Sequence, residues 1–158
     1  QKLVEGIFSG ATINTPSMLA VEDLHAALDW ADRIGGVESL WQRTNQNFDI
    51  IDQWVQRTPW VGWLAIAPDT CSPTSMCLKI IDPEFNQLEN NEQQQAINLM
   101  LSWLVEENCA LDIANYRSAP AGFRIWGGAT VETADLMALT PWIDWAFANF
   151  KQQNNKVT

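Results

Sequence analysis

Gly122-Phe123-Arg124-Ile125-Trp126-Gly127-Gly128 is the stretch on which the reading of this chain turns. Phe, Ile and Trp are residues that pack well on a pleated surface, and the glycine pair ends the run, so a strand is predicted over 123–126. In its middle stands Arg124, a permanent charge among apolar neighbours. Such a charge needs a partner, because burying it unpaired is costly.

Upstream, the apolar run 109–113 reads as a second strand, joined to 123–126 by a loop that carries Arg117, Pro120 and Gly122. Two further strands are predicted over 60–67 and 75–81, parted by a loop with Pro68 and Pro73. Three helical patterns lie around them. The first, 16–34, starts at Thr15-Pro16, with Thr as cap and Pro at a position whose N–H has no partner anyway, and stops at Gly35-Gly36. The second, 37–57, places Val37, Leu40, Trp41, Phe48, Ile51 and Val55 on one face, leaves Arg43, Asn47 and Gln53 mostly elsewhere, and ends at Thr58-Pro59. The third, 92–107, opens at Asn90 or Asn91 and buries Ala96, Ile97, Met100, Leu101, Leu104 and Val105. Downstream, Glu132-Thr133 leads into a short helical turn, and Thr140-Pro141 restarts a last helix to residue 150. That break keeps Pro141 out of a helix interior, where it would cost about 3 kcal/mol.

The order helix, helix, strand, strand, helix, strand, strand, helix suits a small mixed sheet with helices packed on one side, an α/β or α+β domain. Residues 1–14 read as an extended arm or loop, 15–150 as the domain, and 151–158 as a frayed tail. The chain starts with Gln1 and is read as part of a longer one.

Its 158 residues are 47% hydrophobic and 18% charged, enough for one real core and too apolar for a disordered segment. Nine Lys and Arg against nineteen Asp and Glu leave a net charge of −10, which disfavours nucleic acid and anionic membranes as partners. No run is long enough to span a bilayer. Cys71, Cys77 and Cys109 cannot all pair and sit away from metal-ligand spacing, so no metal site is predicted and a cytoplasmic protein fits. His25 is the one histidine and reads as a helix residue beside Asp29. The nine tryptophans fall mostly on apolar faces and read as core or interface packing rather than stacking platforms.

Two places could carry chemistry. The stretch 113–131 holds no Asp or Glu but two arginines, Arg117 and Arg124, and a guanidinium can grip a carboxylate or phosphate with two parallel hydrogen bonds. An ordinary surface ion pair is the alternative for either, though the apolar strand sets Arg124 apart. Asn14-Thr15 before a helix start could cradle a phosphate, and helix capping with an Asn turn accounts for the same residues without a ligand. Phosphate-binding glycine loops, serine elbows and paired-cysteine motifs are missing.

Several ordered motifs, Lys2-Leu3-Val4-Glu5-Gly6-Ile7-Phe8, Ile13-Asn14-Thr15-Pro16-Ser17-Met18, Val21-Glu22-Asp23, and Gly122 to Glu132 with Leu139-Thr140-Pro141-Trp142, give the chain its resemblance. Over essentially its whole length it resembles the carboxy-terminal part of the phosphoserine aminotransferase family. The resemblance implies the small domain of the type I fold of pyridoxal-phosphate enzymes, a homodimer, and amino transfer between glutamate and 3-phosphohydroxypyruvate in serine biosynthesis. It implies that Asn14 and Thr15 reach the cofactor phosphate in the neighbouring subunit's site, that Arg124 binds the substrate α-carboxylate, and that Arg117 lies near the substrate phosphate. Gly127 departs from the Cys or Ser common in relatives. The family's cofactor-bearing lysine lies upstream of the Lys2-Leu3 segment, and Lys2, Lys79, Lys151 and Lys156 do not match it, so no catalytic residue is assigned here and these residues alone are not expected to transaminate. Rival readings are a non-catalytic folding or dimerisation module and the small domain of another type I transaminase.

Overall fold

The computed structural model describes residues 6, 9–11, 14–116 and 118–154. The chain clusters into two compact units, Gln1–Leu40 and Trp41–Thr158.

In the first unit, helix α1 spans Met18–Arg33, and its cap is Ser17, whose hydroxyl accepts from the Ala20 N–H at 3.4 Å. Thr15, the expected cap, lies two residues outside. The apolar positions that predicted α1 are present, but the helix buries none of its residues, and Met18, Leu19, Leu24 and Leu28 are exposed. Gly35 and Gly36, at φ +111° and +74°, end α1 and open α2, Gly36–Arg57, in a conformation that side chains rarely adopt. His25 pairs loosely with Glu22 at 4.0 Å rather than with Asp29. Within 1–14 the described residues turn, with the Ser9 and Ala11 N–H groups both donating to the Gly6 carbonyl; the rest of that predicted arm lies outside the described residues.

The second unit is built on three strands, β1 (Val61–Trp63), β2 (Ser75–Ile80) and β3 (Gly122–Trp126), in the order β1-β2-β3. Both pairings are antiparallel, with Val61 opposite Ile80 and Cys77 opposite Arg124, so the sheet is not the mixed one expected. Met76, Leu78, Ile80, Phe123 and Ile125 point to one face, where Ile51 and Trp54 of α2, Ile97, Met100 and Leu104 of α3 (Asn90–Glu106) and Ile143 of α4 (Thr133–Asn154) complete the core. The predicted first strand is cut short after Trp63. Past Leu64 the chain leaves the sheet for a 3₁₀ turn at Pro68–Thr70, and Ile66 is left in water.

The run 109–113 is not a strand. Helix α3 ends with Asn108 in the left-handed region, the Cys109 N–H returning to the Leu104 carbonyl at 3.0 Å and the Asn108 N–H to that of Val105 at 2.9 Å. These bonds close the helix and take the backbone that a ladder would use. The chain meets the sheet just beyond, in an isolated bridge of Ala114 opposite Phe123 with the Ile113 carbonyl accepting from the Arg124 N–H.

Helix α4 is the other correction. It runs unbroken through Pro141 instead of restarting there. Proline removes the N–H that would bond the Met137 carbonyl four residues back, and the buried Thr140 hydroxyl donates to that carbonyl instead, at 3.4 Å. The helix also continues past Phe150, because Lys151 is held by Asp82, at 3.1 Å, and by Glu84. Residues 155–158 of the predicted tail lie outside the described residues.

Tryptophan does several jobs here. Trp54 is buried in the core and donates to Asp144 at 3.1 Å, Trp60 stacks on Phe147 at 4.1 Å, and Trp41 and Trp126 remain exposed. The packing role read from sequence therefore holds for some of the nine and not for all.

Candidate ligand-binding site

Arg124 sits mid-strand on the face of β3 away from the core, and its backbone N–H donates to the Ile113 carbonyl at 2.9 Å. Its side chain is only 16% exposed. Two groups meet the guanidinium, and one of its N–H donors meets none. Nη2 lies 3.6 Å from Asp112 Oδ2, Cζ lies 4.7 Å from the centre of the Tyr116 ring, and Nε is buried with no hydrogen-bond partner. The guanidinium is thus largely desolvated and keeps an unused N–H, the kind of donor an anion can take. Beside it, Asn115 donates to the Pro120 carbonyl at 3.0 Å while its buried Oδ1 has no partner.

The strand that presents Arg124 is fixed from α2. Asn47, fully buried, turns its amide toward the carbonyls of Gly127, Gly128 and Val131 at 3.2, 3.3 and 3.0 Å, so two N–H groups serve three acceptors, and its Oδ1 accepts from Thr133 at 2.7 Å. One turn earlier, Arg43 donates through Nε to the Ala129 carbonyl at 2.7 Å and through Nη2 to Glu132 at 2.6 Å. The sequence reading put both residues off the apolar face of this helix. Their spacing of four residues on one helix was the available signal, but nothing in the sequence says that a glycine turn will meet them.

Asn14 and Thr15 belong to the first unit, just before the Ser17 cap, and are exposed. Neither makes a hydrogen bond among the described residues, and the first turn of α1 carries no acidic side chain. An amide, a hydroxyl and an unopposed helix start are donors of the kind a phosphate takes, so these residues fit that group. Arg117 lies outside the described residues. Gly127 lies close beneath the Met76 side chain, whose flexible end fills the space a larger residue would need.

Among the described residues no group of His, Cys, Asp and Glu could hold a metal ion, and no helix is long and apolar enough to cross a membrane. All three cysteines are free, and burial pushes the thiols of Cys71 and Cys109 up, keeping both protonated near neutral pH.

The sequence is 42% identical over 146 residues to phosphoserine aminotransferase of Methanosarcina mazei, a match that covers 92% of this chain and 37% of that protein. Over most of its length the chain is homologous to phosphoserine aminotransferase. The enzyme of Methanosarcina barkeri gives the same identity and coverage, and that of a Nocardioides species is 27% identical over 135 residues, covering 85% of this chain and 33% of that protein. The chain thus spans little more than a third of the curated relatives it matches. The fold agrees. Phosphoserine aminotransferase from Bacillus circulans subsp. alkalophilus superposes with a TM-score of 0.71 at 16% identity, covering 94% of this chain and 37% of that one. A phosphoserine aminotransferase studied for radiation damage of its Schiff base gives 0.73 at 19% identity, covering 93% of this chain and 37% of that one. No family model matches the chain.

Proposed function

We propose that this chain is the carboxy-terminal domain of a phosphoserine aminotransferase, a homodimeric cytoplasmic enzyme of serine biosynthesis that moves an amino group between glutamate and 3-phosphohydroxypyruvate. The observation that carries the reading is Arg124, a nearly buried guanidinium with an unused Nε–H, standing in a chain of phosphoserine aminotransferase homology. Pyridoxal phosphate, when bound to the whole enzyme, supplies the electron sink for amino transfer. Arg124 grips the α-carboxylate of the substrate by two N–H groups and so fixes the direction of its Cα–H. Tyr116 holds the guanidinium plane from one face. Asn14 and Thr15 donate to the cofactor phosphate across the dimer, and Arg117 supplies charge near the substrate phosphate. The 158 residues by themselves do not transaminate.

A chimera tests this. The matching 146 residues of the Methanosarcina mazei enzyme are replaced by those of this chain, and transamination of 3-phosphohydroxypyruvate is compared with that of pyruvate. Activity on the phosphorylated acid, with KM raised strongly by Arg124→Gln, supports the reading. A folded, cofactor-loaded chimera without activity refutes it, and a preference for pyruvate points to another type I transaminase.

A second reading has its own observation, the unburied apolar side chains of α1. A module that serves only folding or dimerisation would use them as a contact face. It predicts a mass that rises with concentration and a chimera indifferent to Arg124→Gln.

A further inference from the structure

The two nitrogens of Arg124 that matter most, Nε and Nη2, form one edge of the guanidinium and point their N–H bonds side by side. A carboxylate in the favoured geometry takes both at once, at about 2.7–2.9 Å. Here that edge is half used. Asp112 touches Nη2 alone, at 3.6 Å, beyond hydrogen-bond range, while Nε is buried and unpartnered. Asp112 is itself 86% exposed and is the one carboxylate within 4.0 Å of Arg124 among the described residues. It sits in the connection between α3 and β3, which among the described residues meets the sheet through the Ala114 bridge and the Ile113 carbonyl and is not itself a strand. The Tyr116 ring covers a face of the guanidinium, so an incoming anion must use an edge.

We infer that Asp112 is a displaceable internal carboxylate: it occupies the Nη2 end of Arg124 while the site is empty and must leave when the carboxylate of an amino or keto acid takes Nε and Nη2 together. This rests on the assignment of Arg124 as the carboxylate site. Asp112 would then set affinity without touching the bound ligand. A ligand offering one weak contact does not displace it, whereas one offering the full bidentate contact does. An exposed ion pair contributes little, so the competition costs the ligand only about two- to fivefold in affinity.

The test uses the 158-residue chain. The Arg124 Nε–H resonance is followed by NMR during titration with L-glutamate, and with acetate as the simplest carboxylate. In Asp112→Asn the dissociation constant for both probes should fall about two- to fivefold. Asp69→Asn, an exposed aspartate elsewhere with the same change in net charge, should leave it where it was. Equal or weaker binding in Asp112→Asn, or an equal gain in Asp69→Asn, overturns the inference while leaving Arg124 as the site. An Nε–H resonance that moves in neither the parent chain nor the variant overturns both the site and the inference.

Discussion

The hydroxyl of Thr140 donates to the Met137 carbonyl, the oxygen that Pro141 leaves without its helical N–H. One residue thus repairs within the helix what its neighbour removes. Thr140→Val keeps the shape and loses the donor, so it should lower stability by about 1 kcal/mol in urea unfolding. In a Pro141→Ala background the N–H is restored, and the same substitution should cost clearly less. Equal costs in both backgrounds would show that the hydroxyl does not serve that carbonyl.

Asn47 should be the most sensitive polar residue of the second unit. Asn47→Ala strands the carbonyls of Gly127 and Val131 and removes the acceptor of the Thr133 hydroxyl, while Gly128 keeps the Val131 N–H, a loss of about 3 kcal/mol. The urea midpoint should drop accordingly. Because this clamp fixes the turn after β3, the Arg124 Nε–H resonance should broaden even where the variant remains folded.

Gly122→Ala should be worse than its size suggests. A Cβ there would fall inside the van der Waals shell of the Leu78 carbonyl oxygen, which is backbone in the neighbouring strand and cannot step aside. The β2–β3 pairing must open, and a loss above about 3 kcal/mol is expected. A midpoint within about 0.5 kcal/mol of the parent would contradict the close approach.

Lys151 links the end of α4 to Asp82 and Glu84. Burial alone would raise the Asp82 carboxyl, but the Phe85 N–H and the Lys151 ammonium outweigh it and hold it below its ordinary 3.8. Hydrogen bonding to Glu84, and then to Asp82, holds Lys151 above its ordinary 10.5. A lowered acid stabilises fully above its unfolded value and stops doing so as pH falls through the folded one. A raised base stabilises fully below its unfolded value and stops as pH rises through the folded one. Lys151→Met should therefore cost most on the plateau between these two values, up to about 1 kcal/mol, and least at either extreme. A cost independent of pH would point to lost packing of the lysine stem instead.

Much of this architecture was legible from side-chain period alone. Helices α2 and α3 and strands β2 and β3 each repeat an apolar spacing long enough to outvote local exceptions. Two of the differences share a cause: a backbone hydrogen bond met by an unexpected group. Cys109 looked like the start of a strand but closes a helix through Leu104, and Pro141 looked like a boundary until Thr140 supplied a donor. At the site, Arg124 was conspicuous as a charge in an apolar strand. Asp112 and Tyr116 were not, since a connection without periodicity gives no sign of which of its residues will fold back.

Leu24 and Leu28, one turn apart on α1, lie in water on a chain whose net charge is −10. At neutral pH, mutual repulsion keeps such surfaces apart. Near the isoelectric point, about 4.3, that colloidal protection vanishes while the leucines stay where they are, and each molecule meets its neighbours with greasy patches and no net charge to hold them off. Acidifying a concentrated solution should therefore make it turn cloudy close to that pH, and added salt, which screens charge and strengthens apolar contact, should move the onset upward.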